Sequence, residues 1–218
     1  MADNQALEIA WYGQAMFTVS GGGITVACDP VPPEVGYTYG PVDADAVLIS
    51  HEHFDHGYLA GIKGSPTVIK KTGGSRLDGI EVTGIATFHD AKGGKERGPD
   101  IIFTWEQAGF RIAHFGDLGV LPGAEMLSSL SGLDVVMLPV GGVFTIDGGQ
   151  AARLAKDLAP AIAIPMHYKT PACSIPIKGA GEFTGGFSGP VREVAERPVV
   201  ITRDTLPSAT EVWVLPYQ

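Results

Sequence analysis

The sequence at residues 50–56 is Ser-His-Glu-His-Phe-Asp-His, and it directly follows the apolar run Ala-Val-Leu-Ile at 46–49. Three of the six histidines of the chain therefore fall within six residues, together with an aspartate. Imidazole and carboxylate are the ligands expected for zinc and similar metals. The apolar run predicts a strand buried on both faces, and ligands in α/β folds bind at the carboxyl ends of such strands. The motif therefore predicts a metal site.

Composition bounds the class of protein. The 218 residues are 44% apolar and 18% charged, which is typical of a globular protein, and we expect one domain over 1–218. A formal charge of −9 is no sign of a nucleic-acid binder. Cys28 and Cys173 form no disulfide framework, so we expect reduced thiols in a cytoplasmic protein. Residues 1–5 show no signal-peptide features, and no run reaches the ~18 apolar residues of a membrane span.

Apolar periodicity and turn residues predict many short strands and few helices. The predicted strands lie at 7–12, 15–19, 24–28, 46–49, 67–69, 80–88, 101–105, 110–114, 135–138, 161–164, 199–202 and 211–215. Helices are predicted over 55–62, around 126–130, and from a capping box at Asp147 and Gln150 to Pro160. The Gly/Pro-rich segment 171–190 has no clear pattern. Strands that dominate both halves favour an α+β fold, a four-layer αββα sandwich.

The other three histidines, His89, His114 and His167, also lie at or near predicted strand ends. A two-metal hydrolytic site needs about three protein ligands for each ion and a shared water. One ion can be held by His51, His53 and His89, the second by Asp55, His56 and His167, and Asp117 can bridge them. The sequence thus contains a complete ligand set for two divalent cations, most simply zinc, with manganese or iron as alternatives.

The order of these residues resembles the metallo-β-lactamase superfamily. The features on which this resemblance rests are H-x-H-x-D-H at 51–56, a lone histidine after a strand, Gly-Asp at 116–117 and a histidine at a later strand end. Further stretches resemble its branch of small metal-dependent hydrolases, which includes L-ascorbate-6-phosphate lactonase, and they lie at 11–15, 28–30, 86–89, 114–117, 138–141 and 164–168. The resemblance covers roughly residues 8–170. It implies the αββα fold, a binuclear metal centre and hydrolysis.

The chain departs from that branch at two positions. Relatives usually carry His where this chain has Gln14 and often Thr where it has Leu118. A third position bears on activity, because flavodiiron reductases of this fold carry Glu in place of His53. Histidine there favours hydrolysis over redox chemistry.

Other residues are candidates for supporting roles. Asp29 is interpreted either as a turn residue or as a carboxylate that orients a metal-bound imidazole. His114 is expected to pack below the metals or to hydrogen-bond a ligand, with substrate contact as the alternative. Tyr168 and Lys169 directly follow a predicted ligand and are candidates for substrate contact.

The Gly-rich loop after His89 contains Lys92, Lys95 and Arg97. The simpler interpretation is a solvated charge run, and the alternative is anion binding. Lys92 is the candidate for that role.

These features predict a hydrolase in which a hydroxide bound between two metals attacks an ester, lactone or phosphodiester of a small anionic substrate. Asp117 bridges the metals, and the region of Asp55 helps to protonate the leaving group. The alternative is a di-iron redox protein or a non-catalytic metal-binding protein on the same scaffold. RNA-processing relatives carry a large clamp domain, for which 218 residues leave no room. The oligomeric state stays open.

Overall fold

The computed structural model describes residues 6–77 and 79–218, which form short strands and a few helices. In chain order the strands are β1 Ala6–Gly13, β2 Met16–Gly21, β3 Ile24–Cys28, β4 Val42–Asp43, β5 Ala46–Leu48, β6 Ile62–Lys63, β7 Thr67–Ile69, β8 Gly73–Leu77, β9 Ile80–Phe88, β10 Pro99–Gln107, β11 Phe110–His114, β12 Val135–Pro139, β13 Ile162–Met166, β14 Val191–Glu193, β15 Val199–Thr202 and β16 Glu211–Val214. The helices are α1 Ala124–Ser129, α2 Gly148–Leu158 and α3 Gly181–Gly186. The prediction of no signal peptide concerns residues 1–5, which lie outside the described residues.

Two sheets form the centre of the molecule. Within the described residues, the first has six strands in the order β15-β1-β2-β3-β5-β7, and the second has eight in the order β14-β16-β13-β12-β11-β10-β9-β8. Strands β3, β5 and β7 pair in parallel, as do β11, β12, β13 and β16. Parallel neighbours present their carboxyl ends at the same edge of a sheet, so each sheet has one edge where several strands deliver their following loops.

The core joins the two sheets. Leu48 of β5 belongs to one buried cluster with residues of both sheets, whereas Val47 packs with Ala27 and Ile49 on the opposite face. Strand β5 is therefore buried on both faces, as its apolar run predicts. Cys28 and Cys173 are both buried free thiols.

Helices cover the outside of the second sheet. Helix α2 begins at Asp147, whose side chain accepts a hydrogen bond from the Gln150 backbone N–H at 2.8 Å, while the Gln150 side chain accepts from the Asp147 N–H at 3.0 Å. Its buried side chains, among them Leu154 and Leu158, join the main core. The predicted capping box is confirmed, and so is the predicted helix around 126–130, which is α1.

The outer face of the first sheet has a thinner cover. Ala44 and Ile62, from the loop after β4 and from β6, pack onto it. Among the described residues no α-helix lies between β1 and β11, and short 3₁₀ turns occur there instead. The α+β sandwich is confirmed, with this layer built mainly from β4, β6 and turns.

The helix predicted over 55–62 is wrong. Only Leu59–Gly61 forms a single 3₁₀ turn. Gly57 and Gly61 lower the helix propensity of the segment, and the Tyr58 N–H bonds to the Pro30 carbonyl at 2.9 Å instead of to its own segment. The short elements β4, β6, β8, β14 and α3 were not predicted. No helix in the described part of the chain is long and apolar enough to cross a membrane.

Candidate metal centre

The predicted ligands converge where strand ends of the two sheets meet. The motif at 51–56 follows β5 of the first sheet, whereas His89, Asp117 and His167 follow β9, β11 and β13 of the second. All seven predicted ligands are buried except His53. Folding therefore brings four separate stretches of sequence to one site.

Asp117 lies at the centre of this site. Its Oδ2 is 3.1 Å from His167 Nε2, 3.2 Å from His89 Nε2 and 3.3 Å from His56 Nε2. His51 Nε2 is 3.8 Å away. Burial alone would raise the pKa of Asp117, but His167 and His56 hold it well below its usual range. The central carboxylate faces several imidazole nitrogens at once, which favours its ionised form.

The predicted ligands form three groups, and within each group the donor atoms lie within 4.8 Å of one another. The groups are His51, His53 and His89; His51, His56 and Asp117; and Asp55, His56 and His167. The first and third groups are the two ligand sets that the sequence predicts, and the second connects them. Asp117 Oδ1 is buried and has no hydrogen-bond partner among the described residues. A buried, unpartnered carboxylate oxygen among imidazoles fits a divalent cation.

The pKa values of His51 and His53 agree with a ligand role, whereas that of His56 reflects two neighbouring carboxylates. Burial and the neighbouring His56 lower the pKa of His51 to about 4, and burial and His51 lower the pKa of His53. Neutral imidazole is the form that binds metals. Burial would lower the pKa of His56 as well, but Asp117 and Asp29 together raise it well above its usual value. These two carboxylates carry negative charge that a divalent cation would balance.

Asp29 holds the motif in place. It accepts hydrogen bonds from the Ser50 backbone N–H and from Ser50 Oγ, both at 2.7 Å. Its Oδ2 also lies 3.0 Å from His56 Nδ1, the nitrogen opposite the one that faces Asp117. Of the two interpretations of Asp29, the geometry supports the one in which its carboxylate orients an imidazole.

Asp100 was missed by the sequence reasoning. It is buried at the start of β10, with Oδ1 3.5 Å from His51 Nδ1 and 3.3 Å from the Asp117 backbone N–H. Burial, together with the nearby charges of Asp117 and Asp29, raises its pKa to about 7. The sequence signal for Asp100 was its position beside the apolar run 101–103. An aspartate in a buried strand is rare unless it has a partner, so this position indicates a structural or functional role.

Gln14 connects two parts of the site. It lies in the β1–β2 turn with φ of 51° and is fully buried. Its Nε2 donates to Asp55 Oδ2 at 3.0 Å, and its backbone carbonyl accepts from the His167 N–H at 2.9 Å. The residue that departs from the family pattern therefore contacts a predicted metal ligand directly.

His114 has a supporting position. Its Nε2 lies 2.8 Å from the Ala15 carbonyl, and its Nδ1 accepts from the Gly116 N–H at 3.2 Å. It is fully buried and belongs to none of the three donor groups. The geometry supports packing below the site over contact with substrate.

Three other candidates lie away from the cavities beside the donors. Tyr168 is buried against Trp11, with ring centroids 5.0 Å apart. Lys169 Nζ bonds to the carbonyls of Cys173 and Ile175 and so supports the 171–177 loop. Lys92 extends into solvent and pairs with Glu96 at 2.5 Å. The structure does not bring these three side chains to the cavity walls.

Two cavities meet at His53 and Arg97. One has a volume of about 560 Å³ and is lined by donor residues together with Phe54, Arg97, Phe144 and the 174–176 segment. The other, of about 600 Å³, is lined by residues that include His51, Lys70, Lys71 and Arg97. Both volumes suit small-molecule ligands. Of the basic residues in the loop after His89, Arg97 is the one that reaches the site.

Two facing sheets with histidine and aspartate donors at their strand ends are typical of the metallo-β-lactamase fold. Residues 8–167 match the β-lactamase superfamily domain, and the chain belongs to this superfamily.

Relatives with similar sequences are named metal-dependent hydrolases. A UPF0173 metal-dependent hydrolase from Pyrobaculum arsenaticum is 31% identical over 198 residues, which cover 75% of this chain and 85% of that protein. Another from Thermoplasma acidophilum is 30% identical over 190 residues, covering 75% and 84%. A solved structure from Thermotoga maritima, described as a Zn-dependent hydrolase of this superfamily, is 30% identical with a TM-score of 0.79, covering 97% of this chain and 100% of that chain.

Proposed function

We propose that this chain is a hydrolase that holds two divalent cations with the side chains of His51, His53, Asp55, His56, His89, Asp117 and His167. The observation that carries the proposal is the approach of three imidazole Nε2 atoms, from three strand ends, to Asp117 Oδ2 at 3.1 to 3.3 Å. The names of the relatives support hydrolysis as the reaction. Zinc as the metal and the cytoplasm as the location stay predictions.

Divalent cations in this site would lower the pKa of a bound water and polarise a carbonyl or phosphoryl oxygen. The protein residues supply orientation and proton transfer. Asp29 lies 3.0 Å from His56 Nδ1, and it also accepts a hydrogen bond from Ser50 Oγ, which lies 2.9 Å from His51 Nδ1, so Asp29 and Ser50 orient the two rings. Asp100 lies 3.5 Å from the same nitrogen of His51. Asp55, which Gln14 holds at 3.0 Å, lines the 560 Å³ cavity and is placed to pass a proton to a leaving group. The substrate is an ester, lactone or phosphodiester of a small anionic molecule.

The test is metal content combined with activity. We expect purified wild-type protein to contain about two divalent ions per chain and to cleave generic phosphodiester or lactone substrates. Asp117→Asn keeps the shape of the side chain but removes the shared charge. It should bind at least one ion fewer, and its activity should fall by more than about 100-fold. This loss is larger than the roughly 10- to 100-fold expected for a residue that only orients a ligand.

Asp157→Asn is the matched control, because Asp157 is exposed on α2. It should keep both metal content and activity. Wild-type protein without bound metal, together with a His51→Ala variant equal to wild type on these substrates, would contradict the proposal. Bound iron with a visible absorption band and no hydrolysis would favour the redox alternative.

A further inference from the structure

The 560 Å³ cavity has an apolar wall opposite the donor residues. Phe54, Phe144, Ile175 and Pro176 contribute to it. Phe54 is 71% exposed and Val143, next to Phe144, is 54% exposed. Large apolar side chains left open beside a polar site indicate a surface that binds an apolar part of a ligand.

Arg97 provides a positive charge at the edge of this wall. Its guanidinium lies 5.4 Å from the centroid of the Phe144 ring, and its Nη2 donates to the Val143 carbonyl at 3.3 Å. Lys92 and Lys70 pair with carboxylates, but Arg97 forms no salt bridge within the described residues. A guanidinium without a carboxylate partner can bind a carboxylate or phosphate through two parallel hydrogen bonds.

The loops on both sides of this contact are held in place. Asp90 accepts hydrogen bonds from four backbone N–H groups of the loop, including that of Arg97 at 2.8 Å. On the other side, Val143 has φ of 64°, and the Phe144 N–H bonds to the Gly142 carbonyl at 2.7 Å, which forms a γ-turn. A β-branched residue at positive φ is strained, and such strain concentrates at functional sites.

We propose that the substrate is amphipathic, with an apolar group against Phe54 and Phe144 and an anionic group of the carboxylate or phosphate type bound by Arg97. This inference rests on the proposed function and names its substrate class. Arg97 is then the residue that selects charged over neutral substrates, since it lines both cavities beside the donors.

A pair of esters of equal length tests the selection. Mono-4-nitrophenyl glutarate carries a free carboxylate, whereas 4-nitrophenyl valerate is neutral. Metal-loaded wild-type protein should prefer the charged ester by about ten-fold in kcat/KM, as expected for one hydrogen-bonded charge. Arg97→Gln should abolish this preference. Lys95→Gln, in the same loop but outside both cavities, should retain it. Equal kcat/KM values for the two esters in wild type, or an unchanged preference in Arg97→Gln, would overturn the inference.

Binding gives a second, independent measurement. Phenylsuccinate contains an aromatic ring and two carboxylates, and its affinity can be measured by calorimetry without turnover. We expect Arg97→Gln to weaken its binding about ten-fold. Phe54→Ala, at an exposed position that should not affect folding, should weaken phenylsuccinate binding but leave succinate binding unchanged. If neither ester is cleaved but these binding differences hold, the proposed hydrolysis fails and the ligand class stands. If all variants bind phenylsuccinate equally, the ligand class fails.

Discussion

Four of the five histidines of the centre fall into two kinds according to what lies behind the ring. His51 and His56, from the motif after β5, each have a buried carboxylate near Nδ1, which is Asp100 at 3.5 Å and Asp29 at 3.0 Å. His89 and His167, from strand ends of the second sheet, have buried Nδ1 atoms that face neither a carboxylate nor a hydrogen-bond partner among the described residues. One half of the centre thus has carboxylates behind its rings, and the other half does not.

The difference predicts which residues affect both folding and metal binding and which affect mainly metal binding. A carboxylate behind an imidazole fixes the ring and raises its basicity, but it is itself a buried charge that must stay partnered. Loss of Asp29 therefore affects both folding and metal binding. Loss of His89 or His167 removes a donor and one imidazole partner of Asp117, but Asp117 keeps two other imidazoles within 3.1 to 3.3 Å. We expect the two halves to respond differently to substitution in metal-free protein.

The largest effect is expected for Asp29→Ala. The change leaves the Ser50 N–H and Ser50 Oγ without their acceptor in the core and removes the carboxylate that lies 3.0 Å from His56 Nδ1. We expect the metal-free protein to lose about 3 kcal/mol of unfolding free energy, measured by urea denaturation in EDTA, and metal affinity to fall by about 10- to 100-fold. Asp45→Asn is the control, since Asp45 also accepts one backbone N–H, from Thr25 at 2.8 Å, but at an exposed site. A loss in Asp29→Ala no greater than in the control would remove the distinction between the two halves.

A smaller effect on folding is expected for His167→Asn. The residue has φ of 50°, which asparagine tolerates, and its Nδ1 has no partner among the described residues. Asp117 loses the His167 ring but keeps the imidazoles of His89 and His56 at 3.2 and 3.3 Å. The unfolding free energy of the metal-free protein should change by about 1 kcal/mol or less, while bound metal falls because a donor is missing. Urea denaturation and metal analysis of the same sample check both parts. Destabilisation as large as in Asp29→Ala would show that packing around His167 depends on its ring.

The half of the centre that lies in one stretch could be predicted from the sequence. Three histidines and an aspartate directly after a buried apolar strand need no knowledge of the fold to indicate a metal site. His89, Asp117 and His167 could be added because each follows a strand, and the family pattern gives their order. Strands were predictable for the same local reason, since apolar runs such as 46–49 bounded by turn residues have few alternatives.

The rest depends on contacts between distant residues. Asp100 lies 17 residues before Asp117 in the sequence and meets it only across neighbouring strands. Tyr168 follows a ligand in sequence, yet it turns into the core against Trp11. The helix predicted over 55–62 does not form, because Asp55 and His56 lie among the donor residues of the site and two glycines lower the helix propensity of the segment. The local sequence pattern predicts the type of chemistry that a residue can provide, whereas its contacts depend on the tertiary structure.

The smallest effect is expected for Gln14→Asn, which tests a residue that contacts both halves. Its side chain holds Asp55 of the motif at 3.0 Å, and its backbone carbonyl accepts from His167. Asparagine keeps the amide and tolerates the φ of 51°, but it is one methylene shorter and cannot reach Asp55. The backbone link to His167 remains, so the unfolding free energy should change by less than about 1 kcal/mol. The turnover number should fall about 3- to 10-fold, since a single hydrogen bond to a charged group is lost.

Gln14→His introduces the residue usual in the family branch, and a turnover closer to wild type than that of Gln14→Asn would assign the effect to the contact with Asp55. Equal turnover in wild type and Gln14→Asn would limit Gln14 to its backbone role.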